Sequence, residues 1–183
     1  MASAISHAVA ALALGACLGR ARVPARALVA GAALAVVPDL DAIGFWLGVP
    51  THSVLGHRGL THSLAFAVVA GLAAAGVYRR ADHQGTGGPW LRVYFILVLA
   101  SHGLIDAMTN GGPGIAFFSP FSNARYFFPF RPIQVSPIGI DVFNDRGLRI
   151  LASESRWVWL PAALVAACGI LARRAFARGR PRE

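Results

Sequence analysis

The chain has 183 residues, 56% of them hydrophobic and only 14% charged, with a formal net charge of +9 at pH 7. Apolar runs lie near residues 4–19, 26–37, 63–78, 91–108 and 157–172, and several approach the roughly 17–25 residues that a membrane span requires. This patterning excludes an ordinary soluble domain. It predicts an all-α integral membrane protein, one domain over residues 1–183 with a bundle of about five transmembrane helices in a lipid bilayer. All 17 basic residues are arginine. A basic excess can signal nucleic-acid binding, but arginines flanking apolar runs read as orientation signals, and no nucleic-acid partner is expected. Cys17 and Cys168 sit in apolar runs and read as small core residues, not a disulfide or metal pair.

The first run carries His7. No basic stretch precedes it, so it does not read as a signal peptide, although Leu14-Gly15-Ala16-Cys17 faintly resembles a lipoprotein cleavage box. The second run is long enough to span only if it continues past Asp39 and Asp41 toward Gly48. These acids follow Pro38 and stand two apart, so on a regular helix they would diverge by about 200°. Both serve one site only if the helix loosens there. Next comes His57-Arg58-Gly59-Leu60-Thr61-His62-Ser63, the densest polar cluster. Thr61 is placed to cap the following helix, which puts His62 in its first turn. Arg58, read as exposed, suits bidentate recognition of a phosphate or carboxylate. His52 reads as an exposed loop residue.

Residues 81–89 form a polar, Gly-rich turn with His83 solvated. On the fourth run His102 and Asp106 stand at i and i+4 and share a face, which Thr109 continues. Asn110-Gly111-Gly112-Pro113 is a firm helix stop. The stretch 110–156 is then rich in Phe, Tyr and Pro, and it reads as an extracytoplasmic loop lying over the site as a lid. A loop packed onto the bundle is the alternative.

Orientation follows from charge. Eleven of the 17 arginines fall in segments that would share one side, and six fall in 38–61 and 110–156. The positive-inside rule then places the amino terminus outside and the carboxyl terminus in the cytoplasm. That rule uses none of His7, Asp39, Asp41, His57, His62, His102 or Asp106, yet it brings all of them to one membrane face. Ionisable groups at such depth are costly and default to a functional role. Imidazoles and carboxylates together suit a divalent cation. Asp39, His62, His102, Asp106 and His7 are the expected ligands. Asp41 and His57 are ligand or base, and Arg58 holds the substrate anion. These candidates exceed one tetrahedral site, so one or two ions are expected, zinc foremost. Metal-activated water is the only hydrolytic machinery the sequence assembles.

An amino-terminal His, then PDLD, HRGLTHS, SHGLIDAMTNGG and a late FSPF, together resemble the bacterial YdjM-like family over roughly residues 3–145. The resemblance implies a LexA-regulated, inner-membrane, metal-dependent hydrolase. The order His, Asp, His, His-x-x-x-Asp is also similar, more loosely, to the helical zinc phospholipase C and P1 nuclease group. The chain lacks that group's amino-terminal Trp ligand and further downstream His ligands, which puts a full three-zinc site in doubt. Hydrolysis of an ester or phosphoester in a lipid-like substrate is the expected activity. A divalent-metal transporter and a metal-stapled structural protein are the alternatives.

Overall fold

The computed structural model describes residues 1–82, 88–136 and 145–178. These residues are helical or irregular, with isolated bridges at Thr109–Ile133 and Ile115–Tyr126. Helix α1 (Ala4–Leu18) starts at Ser3, whose side chain accepts from the Ser6 N–H, and stops at Gly19, which takes φ 90°. Helix α2 (Ala25–Leu34) follows Pro24 and runs on through a 3₁₀ segment, Val37–Phe45. The combined stretch Ala25–Phe45 has 21 residues, so the second run does continue past its aspartates.

A 3₁₀ turn, Leu60–His62, leads into α3 (Leu64–Ala81). Its cap is Ser63, which accepts from the Phe66 N–H. Thr61 was expected in that role, but its hydroxyl is engaged with Asp41, which leaves His62 in the turn ahead of the helix. Helix α4 is Gly88–Ala107. His83 lies outside the described residues. Helix α5 (Asp145–Glu154) passes through a π-helical turn, Ser155–Trp159, into α6 (Leu160–Arg178). The stretch 110–156 therefore ends in helix, and the last apolar run is part of a 34-residue element.

Four helical stretches are long and apolar enough to cross a membrane, while α1, at 15 residues, is shorter. At 1.5 Å per residue α1 reaches about 22 Å, against a hydrocarbon core of about 30 Å. The expected bundle of about five spans is thus four long helices and one short one.

Helix α3 packs on α4, and α1 packs on α2, α4 and α6. The core between them is built from Ala11, Val23, Ala27, Leu91, Tyr94, Phe95 and Val98. Small residues allow close approach, as membrane helices require: a Cβ on Gly71 would sit 2.8 Å from the Ile96 backbone. Large apolar side chains face outward, among them Val69 and Val77 of α3 and Leu160, Leu164 and Leu171 of α6. Cys168 belongs to this outer surface and Cys17 is half-buried, so neither is the core residue expected.

The segment 110–136 is sewn onto one end of the bundle by main-chain hydrogen bonds. The Ala116 N–H donates to Arg58, the Leu64 N–H to Phe117, the Phe128 N–H to Ala107 and the Ser136 N–H to Met1. It is a loop packed onto the helices and covering the polar end of the bundle.

Candidate metal site

The alternating course of the helices brings His7, Asp39, Asp41, His57, Arg58, His62, His102 and Asp106 to that end. His7 comes from the start of α1, Asp39 and Asp41 from the 3₁₀ continuation of α2, His57 and Arg58 from the following loop, His62 from the turn before α3, and His102 and Asp106 from the last turns of α4. His7, His62, His102 and Asp106 are buried, at 1%, 3%, 0% and 0% exposure, and Asp39 and His57 are nearly so. His52 stays exposed, as expected.

Asp39, His62, His102 and Asp106 each offer a donor atom within 4.8 Å of the others. His62 Nε2 lies 3.1 Å from His102 Nε2, 3.6 Å from Asp39 Oδ1 and 3.7 Å from Asp106 Oδ2, and His102 Nε2 lies 3.3 Å from Asp39 Oδ1. Bonds of 2.0–2.1 Å to a tetrahedral metal imply donor separations of about 3.3 Å, so these spacings fit one cation.

The outer nitrogens decide what the inner ones can do. His102 Nδ1 donates to the Ala35 carbonyl at 2.8 Å, which leaves Nε2 as the bare, ligating nitrogen. His62 Nδ1 faces Asp41 Oδ2 at 3.2 Å and Thr61 Oγ1 at 3.0 Å, which turns its Nε2 toward His102. The two Nε2 atoms therefore point at each other, and the proton that His62 places between them is the one a cation would displace. Beside them Asp39 Oδ1 and Oδ2, Asp106 Oδ2 and both His7 nitrogens are buried without a hydrogen-bond partner. Buried polar atoms are rarely left so. A cation held by Asp39, His62, His102 and Asp106 would satisfy the carboxylate oxygens, while His7 lies outside that group.

Asp39 and Asp41 do not face the same way. The helix tightens to 3₁₀, and the two acids address opposite nitrogens of His62. Asp39 is on the Nε2 side, while Asp41 holds the Nδ1 side. Asp41 also bonds His57 Nδ1 at 2.5 Å, the Arg58 N–H at 3.1 Å and the Thr61 hydroxyl at 2.5 Å. Asp41, His57 and His62 form a second group with donor atoms close enough to hold an ion. His7 stacks on His102, with ring centroids 3.7 Å apart, and its Nε2 is 3.5 Å from Asp106 Oδ1.

Arg58 is not exposed; its exposure is 0%. It adopts φ 63°, a left-handed conformation that costs a non-glycine residue about 1–3 kcal/mol. Its Nε lies 3.3 Å from Asp106 Oδ2, and its terminal nitrogens donate to Gly111 O at 2.8 Å and Thr109 Oγ1 at 3.0 Å. Arg125, from the covering loop, reaches back to the His57 and Thr51 carbonyls at 2.9 and 2.5 Å.

Burial disfavours a charged His62, but the carboxylates of Asp106, Asp39 and Asp41 outweigh it and raise its pKa to about 10.

The sequence reading missed Glu154. It is fully buried and accepts from the Ser3 N–H at 2.6 Å, the Ser3 hydroxyl at 2.5 Å and the Ser6 hydroxyl at 2.7 Å. One residue earlier, the Ala2 N–H donates to Asp106 Oδ1 at 2.6 Å. The spacing of Gly147, Ile150 and Glu154, the buried face of α5, is the helical signal that could have found it.

The chain matches the YdjM inner membrane protein family over residues 1–179. It belongs to that family. It is also 39% identical over 166 residues to the inner membrane protein YbcI of Escherichia coli K12, which spans 90% of this chain and 95% of the relative. No solved structure matches at a significant level. Membership in the YdjM family accords with the helices long enough to cross a bilayer.

Proposed function

We propose that this site binds a divalent metal, zinc or manganese, and hydrolyses an ester or phosphoester of a lipid-like substrate. The observation that carries the reading is the convergence of the His62 and His102 Nε2 atoms, 3.1 Å apart, beside oxygens of Asp39 and Asp106 that accept no hydrogen bond. Asp39, His62, His102 and Asp106 would hold the ion, with His7 at the edge of the set. A bound divalent metal supplies Lewis acidity and lowers the pKa of water at the site to about 7.

The chain's own residues do the rest. Asp41 fixes the His62 ring through Nδ1, as carboxylates behind metal-bound imidazoles do. His57, held by Asp41 at 2.5 Å, is the residue assigned to accept the proton from water. Arg58 was expected to grip a substrate anion from an exposed position. Its burial makes it a positioning residue that balances Asp106. The covering loop excludes bulk water, so a substrate headgroup reaches the ligands only where 110–136 or 51–57 yields.

One observation favours a second reading. Four protein donors close a tetrahedral ion, as in structural zinc sites, whereas a catalytic zinc keeps a position open. Hydrolysis therefore needs five-coordination, or a six-coordinate metal such as manganese.

One experiment separates these readings. Protein purified in detergent is analysed for metal and assayed on phospholipid and on a chromogenic phosphodiester. One or two equivalents of metal, with turnover that chelator stops, are expected. His62→Ala with His102→Ala should abolish both, and His52→Ala should change neither. Bound metal without turnover on any ester favours the staple. Full metal occupancy in the double variant rules the site out.

A further inference from the structure

The opposite end of the bundle holds a groove of about 900 Å³ where α1 stops and α6 continues. The two helices run parallel: Ser3 meets Glu154 at one end, and the Ala16 and Cys17 carbonyls accept from Arg173 at the other. Their contact is close there, since a Cβ on Gly169 would sit 2.6 Å from the Cys17 carbonyl oxygen. Beyond that point α1 has only Leu18 left, while α6 runs on to Arg178. Residues 170–178 thus overhang the short helix by about 13 Å at 1.5 Å per residue.

The notch is apolar along α6, with Ala172, Ala175 and Phe176, and basic at its mouth, with Arg22 and Arg173. Arg173 closes the carboxyl end of α1. Arg22 lies over the Trp90 ring, 4.2 Å from its centroid, and its side chain makes no hydrogen bond among the described residues. The stacking fixes the guanidinium plane and leaves its N–H edges free. A tryptophan beside arginine at the end of a span is where headgroups sit. Arg79, Arg80, Arg92 and Arg174 share this end, with Asp82 the acid among the described residues there.

We propose that this notch is a binding site for an anionic phospholipid. Arg22 takes the phosphate through its free N–H edge, Trp90 backs it, and an acyl chain lies along Ala172 and Phe176. The shortness of α1 makes the site, because a headgroup drawn into the notch sits deeper than its neighbours while its charge stays matched. Nothing in this inference depends on the metal site at the other end.

The test uses full-length protein released from bilayer discs of equal phosphatidylglycerol and phosphatidylcholine, with retained lipid counted by native mass spectrometry. Wild type should retain phosphatidylglycerol several-fold over phosphatidylcholine. Arg22→Ala with Trp90→Ala should erase that preference, and Arg79→Ala with Arg80→Ala, at the same end but outside the notch, should keep it. Ala172→Trp fills the apolar wall at an exposed position and removes no arginine, and it too should erase the preference. Equal retention of both lipids by wild type, an unchanged preference in Ala172→Trp, or an equal loss in the Arg79/Arg80 pair overturns the site.

Discussion

At the residue scale, His62 joins the two halves of the candidate site. Asp39 and Asp106 face its Nε2 side and Asp41 its Nδ1 side. The sequence marks all of these residues, because acids and imidazoles inside apolar runs are conspicuous. It does not mark their division of labour. A two-residue spacing leaves Asp39 and Asp41 open to serving one point or two, and only the 3₁₀ tightening of Val37–Phe45 sends them to opposite nitrogens. Arg58 was misread for a similar reason: a loop arginine looks exposed until its left-handed backbone turns it inward. The raised His62 pKa has consequences of definite sign. Below about 10 the metal-free ring is charged, so a metal entering at neutral pH must expel a proton. Affinity should therefore fall as pH falls, about tenfold per unit for the one proton displaced, and metal added to weakly buffered protein at pH 7 should release about one proton. In the metal-free protein the same shift, from 6.5 to about 10, stabilises the fold fully below 6.5 and is lost as pH rises through 10. Thermal unfolding across that range should show metal-free protein weakening with rising pH. Metal uptake without proton release would remove His62 from the ligand set.

At the scale of elements, the helices were legible and their ends were not. Apolar runs locate α1 to α4 within a few residues, since a span is a compositional object. Helix α5 was hidden because an aromatic, Pro-rich segment precedes it, and because the charges Asp145, Arg146 and Arg149 read as loop polarity. Its outward charges and inward Gly147, Ile150 and Glu154 are those of an amphipathic helix. The π-helical turn that follows is the kind of irregularity often found at functional sites. Glu154 ties this element to the first residues of α1, and Trp159 Nε1 adds a bond to the Ser6 hydroxyl at 2.8 Å. Through Ser3 the carboxylate also sets the position of the Ala2 N–H that holds Asp106. Glu154→Gln keeps the shape but puts an amide where a second acceptor was needed. A buried mismatch of this kind costs about 1–3 kcal/mol, and loosening a partner behind the ligands typically lowers metal affinity 10–100-fold. Both changes are expected, read by thermal unfolding and by metal titration. A lowered unfolding temperature with unaltered metal affinity would show that Glu154 braces the helices alone.

At the scale of the whole molecule, two ends of opposite character follow from one bundle. The site end gathers His7, His57, His62 and His102, the buried carboxylates and the covering loop; the other end gathers arginines around a notch. The sequence shows this polarity because eleven of the 17 arginines fall in the segments that the charge rule assigns to one side. Of the other six, Arg58 is paired with Asp106 and Arg125 donates to loop carbonyls. Arg131 and Arg156 lie over Phe127 and Trp157, 4.6 and 5.2 Å from the ring centroids. Arg58 is thus buried in the fold, whereas Arg20, Arg79 and Arg80 stand exposed beside helix ends, where charge governs orientation during insertion. The bundle should therefore insert with its arginine-rich end in the cytoplasm and its candidate metal site outside. A reporter that works only outside the cytoplasm should be active when inserted near Gly112 and silent when fused after Arg178, and a cytoplasmic reporter should give the reverse. If the reporter near Gly112 is instead active only in the cytoplasm, the site faces inward. Substrates would then reach it from the inner leaflet.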